Sequence, residues 1–116
     1  MATFKDKENI IRKFADEYKK SKIIELKGLD LLNQNLVSEG FNKYIDTKNK
    51  YTYYFSLQSK IDQVLDKLDW DSSNFLKKEF FNNSIRSDWW MNYFSRSTYY
   101  RLKKKSMQKF LELLYD

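Results

Sequence analysis

Histidine, cysteine and proline are absent from these 116 residues, and glycine occurs only at Gly28 and Gly40. Without cysteine there are no disulfides and no thiolate zinc sites, which suits a reducing compartment. Without histidine the commonest general base and imidazole metal ligand is missing too. The two glycines have no partner at the spacing of a phosphate-binding loop. A stretch beginning at Asp69 imitates an EF-hand through Asp71 and Ser73. It then places Asn74 where the loop needs glycine and Phe80 where it needs a bidentate glutamate. No pair of carboxylates stands apart from the surface acids as an acid–base couple. The expectation is a protein that is not an enzyme and holds neither metal nor cofactor.

Long apolar runs are also missing. Nothing approaches the roughly 18 residues of a membrane span, and no charged-then-apolar leader opens the chain. A cytoplasmic protein without a membrane partner is expected.

Aromatic and basic residues are what the chain has in quantity. Hydrophobic residues make up 41% of it and aromatics 18%, enough for one small domain to bury a core without staples. The net charge of +6 is unevenly spread. Residues 95–109 hold Arg96, Arg101, Lys103, Lys104, Lys105 and Lys109 and no carboxylate, so the remainder of the chain sums to zero. An excess confined to one stretch reads as an electrostatic footprint for a polyanion.

Periodicity predicts helices almost throughout. Residues 3–20 carry Phe4, Ile11, Phe14, Ala15 and Tyr18 on one face, with Thr3 and Asp6 placed to cap. Residues 21–46 are less regular: Ile23 and Ile24 suit an extended segment, the glycines suit turns, and Leu29, Leu32 and Leu36 suit a short helix stopping at Gly40. A long helix is predicted over 47–68, with Tyr51, Tyr54, Phe55, Gln58, Ile61, Leu65 and Leu68 on one face. Asp69 to Ser73 offer caps for a helix over 73–82 that carries Phe75, Leu76, Phe80 and Phe81, and Ser87 or Asp88 for a short one over 87–94. In residues 95–116, Tyr99, Leu102, Ser106, Phe110 and Leu113 form a core-facing stripe, with Ser97, Arg101, Lys104, Lys105 and Gln108 opposite. The expected fold is all-α: a helical bundle with a long central helix and a C-terminal helix-turn-helix-like unit. Residues 1–46 form an N-terminal helical segment and 47–116 the rest, together one compact domain.

The run Ser95-Arg96-Ser97-Thr98-Tyr99-Tyr100-Arg101, then Leu102, Lys103 to Lys105, Ser106, Met107 and Phe110, carries a family likeness. It resembles the recognition helix of the C-terminal helix-turn-helix in ArpU- and RinA-type phage transcriptional regulators, which are similar to region 4 of bacterial sigma factors. The likeness covers about the last 45 residues. The whole layout is also similar to small proteins of mycoplasmas, in keeping with a composition suited to an AT-rich genome. The chain departs from those regulators just before the helix, where they have small aliphatic residues and often a glycine. Here stand Trp89, Trp90, Tyr93 and Phe94.

The resemblance implies a DNA-binding transcription regulator or sigma-like factor with duplex DNA as its partner. Ser95, Ser97 and Thr98 would cap the helix and meet phosphates. Arg96 and Arg101 would reach base edges, and Tyr100 the backbone or a thymine methyl. Lys104 and Lys105, with Lys109 beyond them, would supply salt-sensitive phosphate attraction. Lys103 points into the apolar arc and is expected to snorkel out along its stem. Trp89, Trp90 and the tyrosines are expected in the core rather than as base-stacking platforms. The N-terminal half is left with three roles: dimerisation, contact with RNA polymerase, or support for the C-terminal unit. The competing expectation is a non-catalytic, all-helical interaction protein whose basic helix meets an acidic protein or RNA, or is simply exposed.

Overall fold

The computed structural model describes residues 3–38, 41–82 and 85–115, with the side chains of 26–48, 50 and 51 outside that description. It is an all-α bundle, and no strand occurs among the described residues.

Helix α1 (Phe4–Ser38) opens with the predicted cap. The Thr3 amide donates to Asp6 Oδ2 at 3.1 Å, and the Asp6 amide donates to Thr3 Oγ1 at 3.1 Å. That reciprocal pair satisfies two amides the first turn leaves open. The helix does not stop near residue 20 as periodicity suggests. It continues through Ile23, Ile24 and Gly28, which are neither extended nor a turn. A glycine inside a helix costs about 1 kcal/mol relative to alanine, less than a long packed interface returns. Gly40, the predicted stop, lies outside the described residues, as do the side chains of Leu29, Leu32 and Leu36.

Helix α2 (Phe41–Lys67) returns antiparallel to α1, because partners retreat along α2 as one advances along α1. Tyr18 Oη donates to Asp62 Oδ1 at 2.6 Å, whereas Ser21 and Glu25 both meet the Gln58 amide, at 3.0 and 3.1 Å. The predicted single long helix is therefore one arm of a two-helix hairpin. At 1.5 Å per residue, α1 with its 35 residues is about 52 Å long, which accounts for the 55 Å longest dimension of the molecule. Residues 46 and 47, where the sequence divides into two segments, lie inside α2. Among the described residues no helix is long and apolar enough to cross a membrane.

Asp69 caps helix α3 (Trp70–Leu76), its carboxylate accepting from the Ser72 amide at 3.1 Å. The helix widens into a π-helical turn (Lys77–Phe81). Such turns are rare and cluster at functional positions. Here the wider turn keeps the neighbours Phe80 and Phe81 both buried. Phe81 lies edge-on to Tyr18 at 5.4 Å and tilted against Phe110 at 5.7 Å. Over 87–94 the structure has only a 3-10 turn (Trp89–Asn92), not an α-helix. Helix α4 (Arg96–Leu114) then crosses the first turns of α1 and closes the core.

The core joins Ile11 and Ala15 of α1, Ile61 and Leu65 of α2, Leu76 and Phe80, and Phe110 of α4. These are the apolar positions that periodicity predicts. Aromatic side chains expected in the core depart from it: Tyr93 is 72% exposed, Tyr53, Phe55, Tyr100 and Tyr115 are exposed, and Trp89 and Trp90 are only half-buried. The 3-10 turn is too short to bury a face.

Candidate nucleic-acid interface

The start of α4 is built as its sequence suggests. Ser95 is the N-cap, in an extended conformation, and its hydroxyl oxygen accepts from the Thr98 amide at 3.2 Å. The same hydroxyl donates to Thr98 Oγ1 at 2.9 Å. Ser95 and Thr98 thus spend hydroxyl capacity on each other, the Ser97 hydroxyl lies 3.3 Å from that of Ser95, and both serines are exposed.

The buried arc of α4 is rotated from the predicted stripe. Tyr99, Lys103, Ser106, Met107, Phe110 and Leu114 are buried, whereas Leu102 and Leu113 are only half-buried. Lys103 does not snorkel out. Its ammonium forms an ion pair with Glu8 of α1 and lies 3.7 Å from Glu79 of the π-helical turn and 3.5 Å from Tyr99 Oη. The rings of Phe4, Phe80 and Tyr99 surround it at 5.8, 5.7 and 5.5 Å. Burying an ammonium is costly unless it is paired and hydrogen-bonded. Two carboxylates and three ring faces meet that requirement here.

Glu79 is the second hub of this network. It accepts from Tyr99 Oη, and from Trp89 Nε1 at 3.4 Å. Burial, reinforced by the Glu79 carboxylate, pushes the Tyr99 phenol above its usual pKa. For Glu8, burial pushes upward, but Lys103, Lys5 and Arg12 outweigh it and hold the carboxyl below the usual glutamate value. Lys5 and Arg12 stand 3.3 and 3.8 Å from Glu8 on the solvent side. The Tyr99 ring is stacked under Trp90 at 4.3 Å and meets Tyr100 edge-on at 5.1 Å. Tyr100 is therefore half-exposed but braced.

Lys109 is also removed from the free basic face. Its ammonium lies 2.9 Å from Asp69 Oδ1, so a residue predicted to attract phosphate instead clamps α4 to the cap of α3. Hydrogen bonds from Lys109 and the Ser72 amide hold the Asp69 carboxyl well below the usual aspartate value. Of the six cations in 95–109, Arg96, Arg101, Lys104 and Lys105 remain exposed. None of the four has an ion-pair partner among the described residues.

The structure adds one cation from elsewhere. Lys7 of α1 donates to Gln108 Oε1 at 2.6 Å and lines a shallow depression with Arg101, Lys104 and Lys105. The basic face thus spans two helices. Sequence reasoning missed Lys7, Glu8 and Glu79. For Glu8 and Lys103 a signal existed, since each is a charge placed on an apolar helical stripe. Two such misfits of opposite sign in one chain are what a buried pair looks like before folding. Glu79 carries the same mark, four residues after Phe75 and three after Leu76 on the apolar side of its helix.

Among the described residues no cluster of three or more acidic side chains is placed to hold a metal ion. In comparisons with known proteins the chain matches no family model, no curated protein and no solved structure.

Proposed function

We propose that the chain binds duplex DNA through the exposed face of α4 and acts as a transcription regulator or sigma-like factor. The observation that supports this most is selective exposure. Of the six cations of α4, Lys103 is buried against carboxylates and Lys109 is held by Asp69 at the surface, while Arg96, Arg101, Lys104 and Lys105 face water. Four exposed cations without ion-pair partners among the described residues make a positive surface of the kind that attracts a polyanion. Arg96 and Arg101 are the candidates for base edges, because a guanidinium pairs bidentately with guanine. Lys104 and Lys105, joined by Lys7, hold phosphates. Ser95, Ser97, Thr98 and Tyr100 set the helix start against the backbone. RNA polymerase would be a second partner, met by the N-terminal helices.

A second reading draws on the 3-10 turn at Trp89–Asn92, which replaces the short α-helix of a tight helix-turn-helix. On that reading the protein is a non-catalytic interaction module whose basic face meets an acidic protein or RNA. Mobility-shift titration of a random duplex pool against salt separates the two. The DNA reading expects log affinity to fall with log salt with a slope of about −3, matching the three phosphate contacts of Lys7, Lys104 and Lys105. It also expects the Arg96→Ala/Arg101→Ala variant to lose sequence preference. A flat salt response, or binding unchanged in that variant, would sink it.

A further inference from the structure

Beside the basic face, between α3, the 3-10 turn and α4, lies an open cleft of about 640 Å³. We infer that this cleft takes an unpaired nucleobase from a strand whose phosphates lie on α4. The inference rests on the DNA reading above and names a further feature of the nucleic acid it recognises.

Three observations carry it. The first is aromatic exposure. Trp70 is 76% exposed and Tyr93 72%, and both line the cleft. Large rings left in water on one shared surface mark an interaction site. Trp70 follows the Asp69 cap directly, and at that exposure its indole adds little to the core.

The second is that the cleft wall is held in place. Lys78 lies 5.4 Å above the Trp89 ring and 5.7 Å above the Tyr93 ring, tying the two together. Trp89 is itself fixed by its bond to Glu79 and by edge contacts with Phe75 at 5.4 Å and Phe94 at 6.3 Å.

The third is the arrangement of charge. Arg101 and Lys105 line the cleft and also belong to the basic face, so the two surfaces are continuous. The carboxylates of Asp69 and Asp71 line the cleft as well. Asp69 is neutralised by Lys109, while Asp71 stands next to Trp70 in the chain. A phosphate is therefore drawn to Arg101 and Lys105 and repelled beside Asp71. The uncharged part of a nucleotide, its base, is what fits against Trp70 and Tyr93. Stacking on such rings tolerates any base, because every base has a π face. An acidic peptide would satisfy the cations but bring nothing flat to cover the rings.

The test compares a labelled blunt duplex with the same duplex carrying a short single-stranded thymine overhang, by anisotropy titration. The wild-type chain is expected to bind the overhang form about tenfold more tightly, the effect of one stacked base. Trp70→Ala and, separately, Tyr93→Ala are expected to abolish that gain and leave blunt-duplex affinity unchanged. Both positions are exposed, and an unaltered urea midpoint confirms that each variant folds. Equal affinity for the two DNAs in the wild type would overturn the inference while leaving the DNA reading intact. So would equal weakening on both DNAs in the variants, which would place the rings on the duplex face. Displacement of the overhang form by poly-glutamate, lost in Trp70→Ala, would assign the cleft to an acidic peptide and overturn it as well. Absence of binding to either DNA at low salt would be the failure of the DNA reading itself.

Discussion

Lys103 of α4 and Glu8 of α1 form an ion pair inside the protein, with side chains only 6% and 9% exposed. Each sits on the apolar stripe of its own helix, and each offsets much of the other's cost of burial. The pair ties the start of the chain to the helix that carries the exposed basic face. Glu79 closes the network from a third element.

Removing the cation should therefore cost more than removing a surface charge. Breaking a buried pair costs about 3–5 kcal/mol, and Lys103→Met is expected at the low end. Lys5 and Arg12 remain for Glu8, and Tyr99 and Trp89 remain for Glu79. Adding Glu8→Leu should recover part of the loss, giving a coupling of at least about 1 kcal/mol in a double-mutant cycle. Urea unfolding of the four proteins checks this, and additive costs would contradict a direct pair.

Acid should expose the same pair. Because the folded-state pKa of Glu8 is depressed, its stabilisation is complete above the ordinary value of 4.5. It is lost as pH falls through the depressed folded-state value. Glu8→Gln should be less stable than wild type at pH 7, with the gap narrowing below pH 4.5. Chemical unfolding at a series of pH values measures that gap.

Base should act through Tyr99. Its folded-state pKa is raised by burial and by Glu79, so its contribution is present below the ordinary value of 10.0 and declines as pH rises from there. Tyr99→Phe should remove that part of the alkaline decline, but not the part due to Tyr18. Burial and the bond to Asp62 raise Tyr18 in the same direction. Absorbance titration of the phenolates, run alongside stability, distinguishes the two.

Two lysines on α4 that look alike in the sequence should behave differently on DNA. Lys104→Ala should reduce the magnitude of the salt slope by about 1, as should Lys7→Ala on the neighbouring helix. Lys109→Ala should leave the slope nearly unchanged, because its ammonium is already held by Asp69. A larger effect from Lys109 than from Lys7 would mean that the basic face is misassigned.

The cap of α4 allows folding and binding to be separated. Ser95→Ala should cost about 1 kcal/mol of stability through loss of the bond to the Thr98 amide. Ser95→Asp keeps a capping oxygen but adds a negative charge beside the basic face. It should preserve the urea midpoint and weaken DNA binding severalfold.

Local chemistry was readable along the chain. The caps at Thr3, Asp69 and Ser95 are legible because a cap bond spans three residues or fewer. The core positions Ile11, Ile61, Leu65, Phe80 and Phe110 are legible because an amphipathic helix repeats its buried side every turn. Local signals also misled. Gly28 suggests a turn, yet α1 runs straight through it, since one residue's preference is small beside the packing of two long helices. The tryptophan-rich approach to α4 suggests a buried helix, yet it forms a short turn with Tyr93 in water.

Which lysines of α4 face solvent could only be decided in three dimensions. The sequence places six cations on one stretch and predicts them all as outward-facing, with Lys103 reaching out along its stem. Folding turns Lys103 inward and clamps Lys109 to Asp69, and it brings Lys7 alongside Arg101 and Lys104. The reason is range. A helix stripe is set by neighbours three and four residues away, whereas an ion pair depends on partners that other helices bring within a few ångströms.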